Sequence, residues 1–567
     1  MSTDTAKLLA EYNGLVQDRS DWENEAKDIS DYLLPGRGVF AFFTKPRRRK
    51  LSPVKVINPR AREALRVLTS GLQGGLTSPA RPWFKLKFSD SRLSKVQPLK
   101  LWLEDCEKKL YSEFAKTNFY PAVHSFYTEF AGFGTGALFV TEGGEKTFSF
   151  HLLTFGEYVF ALNADGYVDK FYRVLTYTPR QLKQKFGDAI PADLARVVEK
   201  GEATQDTTYY TVIHGVYPLD KPDNGRTIKS VYFLLGGMGN AAKNTTSSSA
   251  PAVLKEGLYY EFPVALSRWD VIGVDTYGVG PGSEALPDIK RLQEMEKSFL
   301  MATHKDIDPP VNAPARMRGQ LNTLPGGRNY YVNPAETINE VYRRRFDYRG
   351  VGSAVDRVER RIERVFYNDV FLTASRDPNA SPLKATEVNV RDDEKMLRLG
   401  PVIERLHTEF LSPLIERCFN IMLRAGKFVQ LPPQFAQMVS SYDIELVSPL
   451  AQAQKMLAAR GVQNLLAFTA NVAQFNPGVL DKIDTDAAID EYADISGAPV
   501  TVVVPTEAAN AVRQQRAQVQ AQKEKMAQNV ALAQAQGAGA LTQSQVAKNY
   551  ADAGSSATDA LTGMAPQ

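Results

Sequence analysis

Residues 284–310, EALPDIKRLQEMEKSFLMATHKDIDPP, and residues 351–365, VGSAVDRVERRIERV, are the stretches from which the organisation of this chain is read. In the first, Ile289, Leu292, Met295 and Phe299 recur at three- and four-residue spacing, which places them on one apolar helical face. Pro309-Pro310 ends the pattern. In the second, Val351, Val355, Val358, Ile362 and Val365 repeat it, with Asp356, Arg357, Glu359, Arg360, Arg361, Glu363 and Arg364 on the other faces. Between the two, Val311–Gly350 has several prolines and glycines and strand-like pieces such as Asn329–Val332. The prediction is a pair of helices flanking a small non-helical module.

Toward the C-terminus, a polar, proline-containing loop, Thr373–Pro382, leads into a long helical stretch from about Lys384 to Arg424. Pro401 and Pro413 lie inside it, and each removes a donor and crowds the preceding turn, so a kinked helix is expected. Beyond Pro432 the pattern reads as mainly helical, and from Pro505 the chain is rich in alanine and glutamine, with little apolar surface to bury.

Toward the N-terminus, Leu8, Tyr12, Leu15, Trp22, Ala26, Ile29 and Leu33 mark a helix over Thr5–Leu34, stopped by Pro35-Gly36. Asn58-Pro59 is a cap followed by a first-turn proline, and opens a second helix through Leu65, Leu68 and Leu72. Further helices are expected near 95–117 and 121–132. From about Gly136 the pattern turns to short β runs: Phe148–Leu153, Tyr158–Leu162, Val168–Thr176, Tyr209–Val216, Val231–Leu235 and Gly257–Ala265. Asp165-Gly166 reads as a hairpin turn, and Gly236–Ala252 as a mobile loop. The fold class is α+β.

Composition narrows the function. The 567 residues carry 68 basic and 64 acidic side chains, a net charge of +4, so any contact with nucleic acid must be local. The charged N-terminus and the lack of an apolar run of about 20 residues predict a soluble, cytosolic chain without a membrane partner. Cys106 and Cys418 are too few for a disulfide framework, and His124, His151, His214, His304 and His407 lie at no metal-ligand spacing, so neither metal nor cofactor is expected. No zinc-hydrolase helix or serine elbow appears, and the chain is not expected to be an enzyme. Gly278-Val279-Gly280-Pro281-Gly282 before a helix reads as a tight turn or hinge; as a phosphate loop it would lack the lysine and hydroxyl of a Walker motif.

Basic residues gather at Lys45–Lys50, a solvated loop or a DNA patch, and in the module between the paired helices. That module has Arg316, Arg318, Arg328, Arg343, Arg344, Arg345 and Arg349 and no lysine, a set suited to carboxylate or phosphate pairing with neighbours, partners or DNA. Arg376 and Lys384 bracket the polar loop before the kinked helix.

Several strings carry a family resemblance. They are Leu33-Leu34-Pro35-Gly36-Arg37-Gly38; Gly71-Leu72 and then Leu76-Thr77-Ser78-Pro79-Ala80-Arg81-Pro82-Trp83-Phe84; Ala285-Leu286-Pro287-Asp288-Ile289-Lys290; and Ala385-Thr386-Glu387-Val388 followed by Leu399-Gly400-Pro401. Over most of residues 1–430 the chain resembles the portal, or head-to-tail connecting, proteins of short-tailed, podovirus-type bacteriophages. The resemblance implies a portal fold: a helical and β-rich wing (1–283), two channel-lining stem helices (284–306 and 351–372), and between them a small α/β clip (307–350). A tunnel loop (373–383), a long kinked wing helix (384–431), a helical crown (432–504) and a C-terminal helical barrel or partly disordered tail (505–567) follow.

It also implies a homo-oligomeric ring, usually a dodecamer, at one capsid vertex of the virion, assembled in the host cytoplasm. Such a ring is a conduit for non-specific passage of double-stranded DNA and docks terminase, tail adaptor, capsid and internal ejection proteins. A channel of this kind must not bind DNA tightly, since every neutralised phosphate adds affinity to be broken at each step. Arg376 and Lys384 are then candidates for rings of channel-facing charge, or simply loop solvation. The clip arginines are candidates for docking or inter-subunit pairing. A tail adaptor or internal virion protein, and more remotely a nucleotide-binding enzyme, are the alternatives.

Overall fold

The computed structural model describes residues 4–39, 55–80, 82–88, 96–143, 146–237, 251–313, 327–330, 338–341, 347–371, 399–429, 443–446, 463–473, 482–496 and 506–536, with a few single positions between. The chain divides into two units, Met1–Phe468 and Thr469–Gln567.

In the first unit, α1 (Thr5–Tyr32) starts at Asp4, whose carboxylate accepts from the amides of Ala6 and Lys7. Its first half lays Leu8 and Tyr12 on a sheet surface of Val159, Tyr172, Ile213, Val231 and Phe233, and its second half sends Ala26, Ile29 and Leu33 into the main core. Helices α2 (Arg60–Leu76), α3 (Gln97–Lys116) and α4 (Phe119–Phe133) follow, joined by strand β1 (Phe84–Lys87) between α2 and α3. Helix α4 buries a broad apolar face, Phe119, Val123, Phe126, Tyr127, Phe130 and Ala131, while Pro121, His124, Ser125 and Thr128 lie on its partly exposed side.

Two antiparallel sheets make the β-rich body. Strand β2 (Thr135–Glu142) is central in a three-stranded sheet, between β3 (Phe148–Leu153) and β9 (Val264–Arg268). The other sheet runs β4 (Tyr158–Leu162), β5 (Val168–Tyr177), β6 (Tyr210–Asp223), β7 (Arg226–Gly237) and β8 (Ala252–Tyr259) in sequential order. The expected Asp165-Gly166 turn joins β4 to β5. There Gly166 takes φ +82°, and Asn163 Oδ1 accepts from the amides of Asp165 and Tyr167. Short helices α5 (Pro179–Phe186), α6 (Ala192–Glu199) and α7 (Thr204–Thr207) bridge β5 to β6.

The paired helices are present as α8 (Pro281–Ile307), about 40 Å long at 1.5 Å per residue, and α9 (Tyr348–Val365), antiparallel to it. A two-residue ladder, β10 (Val311–Asn312) with β11 (Asn339–Glu340), lies in the insert between them.

Several expectations need correcting. The run expected over Gly257–Ala265 is two strands in different sheets: β8 ends at Tyr259 and β9 begins at Val264, with Pro263, which has no amide to donate, between them. Strand β2 escaped the pattern reading because six successive residues from Thr135 are buried on both faces, leaving no alternation to detect. The second of the paired helices does not run unbroken to 372. It ends at Val365, Tyr367 takes φ +54°, and a separate turn, α10 (Asn368–Phe371), follows. The region beyond Pro432 includes a strand, β12 (Asp443–Leu446), paired antiparallel with β1. The expected loop Gly236–Ala252 falls largely outside the described residues, as do Thr373–Pro382 and 384–398.

The described part of the kinked helix begins at Gly400, with Pro401 in its first turn, where a missing amide costs nothing. An irregular turn precedes Pro413. Residues His407–Leu411 form a π turn in which the Ser412 amide donates to the His407 carbonyl, and the α-helix resumes over Ser412–Arg424. The widened turn relieves the clash a proline ring makes with the carbonyl four residues back. It also presents Glu409 to Arg268, whose amide and guanidinium donate to the carboxylate at 3.0 and 2.6 Å.

In the second unit, helices Thr485–Ser496 and Thr506–Gln536 are tied by Arg513, which donates to both carboxylate oxygens of Asp486 at 2.6 and 2.7 Å. On the longer helix Val512, Val519 and Met526 stand exposed seven residues apart.

Within the large sheet, His214 is fully buried and stacked 3.8 Å from the Tyr232 ring. Arg173 Nε donates to His214 Nδ1 at 2.9 Å, so the imidazole is neutral and its Nε2–H faces Ser230 Oγ. Burial, then the cations Arg173 and Lys185, hold its pKa well below the ordinary histidine value. The folded pKa is depressed, so the stabilisation is complete above about pH 6.5 and is lost as pH falls below it, by up to about 1.4 kcal/mol per pH unit. Urea midpoints measured between pH 7.5 and 5 should therefore fall more steeply for the natural chain than for His214→Gln.

Candidate functional site

The α8–α9 hairpin is fastened to the rest of the first unit by the segment Ile57–Arg60, in which Asn58-Pro59 opens α2. Asn58 Oδ1 accepts from the Arg60 amide, the expected capping contact. The other atoms of Asn58 do more. Its side-chain amide donates to Glu296 of α8 at 2.9 Å and to Glu359 of α9 at 2.8 Å. Gln293 of α8, 4% exposed, accepts from the amides of Ile57 and Asn58 at 2.6 and 2.9 Å and donates to the Asn58 carbonyl at 3.0 Å. Arg60 forms an ion pair with Glu363 of α9. One short segment thus holds both helices of the hairpin. Below these contacts, toward the insert, a groove of about 550 Å³ separates the helices, lined by Arg291, Met295, Phe299, Val351 and Ala354 among others.

The top of α8 is set by close backbone approach. A Cβ placed on Gly282 would overlap the Gly132 carbonyl, and one on Gly280 would lie 2.8 Å from the Gly134 Cα. Gly134, the left-handed cap of α4 at φ +76°, has no room for a Cβ against the Gly278 carbonyl. The glycine-rich turn is therefore a packing device. Its Gly278 amide is spent on Thr135 Oγ1, and the space where phosphate would sit in a nucleotide loop is filled by the end of α4. Of the expected tight turn or hinge, the packing shows the tight turn.

The family-like strings have local physical roles. Arg37, just past α1, donates to Glu129 of α4 at 2.9 Å, and Glu129 also accepts from Thr154 Oγ1 and the Phe155 amide. Burial raises the Glu129 carboxyl above its ordinary pKa, against the lowering pull of Arg37 and these donors. Trp83 and Phe84 enter an aromatic cluster with Tyr111, Phe114 and Phe119, and Tyr111 Oη accepts from both of their amides.

Of the candidate cations, Arg328 is exposed in the insert. Arg316, Arg318, Arg343, Arg344, Arg345, Arg376 and Lys384 lie outside the described residues, as do Lys45–Lys50. Gln293 and the second role of Asn58 were not read from the sequence; only the Asn-Pro pair signalled the place. Among the described residues no group of three potential metal ligands comes together, and no helix is long and apolar enough to cross a membrane.

The family described as bacteriophage head to tail connecting protein matches residues 5–503. The chain belongs to that family. It is 35% identical over 529 residues to a probable portal protein of Bordetella phage BPP-1, covering 91% of this chain and 92% of that one. It is 32% identical over 554 residues to the portal protein of Salmonella phage epsilon15, covering 96% of each. Among solved structures, chains from the virion and the neck of gene transfer agent particles match at TM-scores of 0.31 and 0.33 with 11% identity, over 70% and 72% of this chain and 89% and 86% of theirs. That likeness is too slight to argue from.

Replacing Gln293 by leucine should leave two partly buried amides and one carbonyl without this partner, at a cost of about 1–3 kcal/mol. Urea unfolding of the two forms, compared at constant pH, measures it.

Proposed function

We infer that this chain is a portal subunit, the head-to-tail connector of a bacteriophage. Membership of the connecting-protein family, with two portal proteins matched over nearly their whole length, carries the reading. In the form proposed, subunits close into a ring, a dodecamer by family pattern, at one vertex of the capsid. The ring passes double-stranded DNA during packaging and ejection and docks terminase and tail proteins.

In this reading α8 and α9 are the stem, the β10–β11 insert is the clip, 373–383 is the tunnel loop, and the long wing helix ends at Arg424. Physical chemistry supports it in two ways. A net charge of +4 on 567 residues suits a conduit that must let a polyanion slide. One cation per subunit becomes a closed ring of charge under rotational symmetry, which is the role proposed for Arg376 and Lys384. The clip arginines, Arg316, Arg318, Arg328, Arg343, Arg344 and Arg345, are proposed to serve docking and contacts between copies. The exposed, heptad-spaced Val512, Val519 and Met526 suit a C-terminal helix that bundles with its copies.

Negative-stain images and mass photometry of the purified chain should show closed rings with a central hole and no ATP turnover. A compact monomer under all assembly conditions would overturn the proposal.

A further inference from the structure

Two helices of the first unit carry stripes of opposite charge that their own chain leaves open. On α9, Arg357, Arg360 and Arg364 are exposed, and their spacing of three and four puts them on one face. Their acidic neighbours are drawn elsewhere: Glu359 and Glu363 to Asn58 and Arg60. Asp356 lies only at the margin of the stripe. On α1, Asp18, Asp21 and Glu25 repeat the seven-residue span with the opposite sign, also exposed. None of these six side chains forms an ion pair with another described residue. Each stripe is about 10 Å long at 1.5 Å per residue.

Their placement is the informative part. On α9, Arg361 donates to Asp288 of α8 at 2.8 Å; on α1, Asp28 accepts from Lys290 of α8 at 2.5 Å. Asp288 and Lys290 are two residues apart and so about 200° apart around α8. The basic and acidic stripes therefore flank α8 on opposite sides, the acidic one nearer the start of α8, where Trp22 packs on Tyr277. Helix α1 runs in the direction of α8, since Trp22 packs on Tyr277 while Asp28 reaches Lys290. Helix α9 runs against it, since Arg361 meets Asp288 while Tyr348 meets Asp306.

We propose that the Arg357/Arg360/Arg364 stripe of one copy seats antiparallel on the Asp18/Asp21/Glu25 stripe of the next, forming the lateral contact of the ring; this rests on the portal reading above. Unlike charges on opposite flanks cannot pair across a two-fold axis with the same patch, but they do pair head to tail, and such contacts close into rings. Duplex DNA is the other polyanion the arginines could meet. The acidic stripe of equal length and opposite sign favours a second copy, because a DNA-facing role for α9 leaves Asp18, Asp21 and Glu25 without purpose.

The test is charge reversal in the full chain. Arg357→Glu/Arg360→Glu/Arg364→Glu and, separately, Asp18→Lys/Asp21→Lys/Glu25→Lys should each raise the concentration for half-maximal ring assembly at least tenfold by mass photometry. Mixed one to one, the two variants should assemble again, as rings of alternating subunits, and a single chain with all six changes should assemble alone. If a triple variant melts early, Arg360→Glu and Asp21→Lys carry the same mixing test.

Rings formed by the arginine variant at the natural concentration overturn the proposal, and if those rings also lose retention of duplex DNA, the stripe faces DNA. Two folded variants that fail alone and fail when mixed overturn it as well. A natural chain that never forms rings overturns the portal reading itself, and this interface with it.

Discussion

The carboxamide of Gln293 is the contact on which the placing of the α8–α9 hairpin depends. A helical hairpin whose far end carries an insert positions that insert only if its root is held. Gln293, itself 4% exposed, fixes it by closing three hydrogen bonds on the backbone of the half-exposed segment Ile57–Asn58. A buried carboxamide is costly to leave unpaired, so the position of Gln293 against this segment is narrowly determined. Asn58 extends the same restraint to α9 through Glu359, and Arg60 adds an ion pair to Glu363. The hairpin and the first turn of α2 therefore behave as one piece.

That piece is seated in a frame of a different chemical kind. Backbones at Gly132–Gly134 and Gly278–Gly282 touch without side chains between them, so the start of α8 is held by shape. Around this contact, Arg37 and Glu129 tie the end of α1 to α4, and Glu409 reaches Arg268 on β9 from the π turn of the kinked helix. The π turn is where Pro413 would break a regular helix. The chain spends that irregularity on aiming a carboxylate, so the break and the ion pair have one cause.

Much of this was legible in the residues. The apolar repeats gave α8 and α9, Pro309-Pro310 their separation, and Asp165-Gly166 the hairpin, because each follows from local periodicity or turn chemistry. What stayed hidden was long-range. Strand β2 is buried on both faces and shows no alternation. Strand β12 lies in a region read as mainly helical and pairs with β1, more than 350 residues earlier in the chain. The glycines of 278–282 could be seen as special, but their partner, the end of α4, lies about 145 residues away and left no local sign. Gln293 looked like one more polar residue on an amphipathic helix; only the fold shows that it turns inward. The opposed stripes on α1 and α9 likewise acquire meaning only once α8 is known to lie between them.

The central claim is that the hairpin is rigidly rooted at Ile57–Arg60. Amide hydrogen exchange on the purified protein tests it most directly. The account predicts that the amides of Ile57 and Asn58, though outside any helix or strand, exchange as slowly as those within α4. Exchange at the rate of the exposed insert residues 327–330 would contradict it.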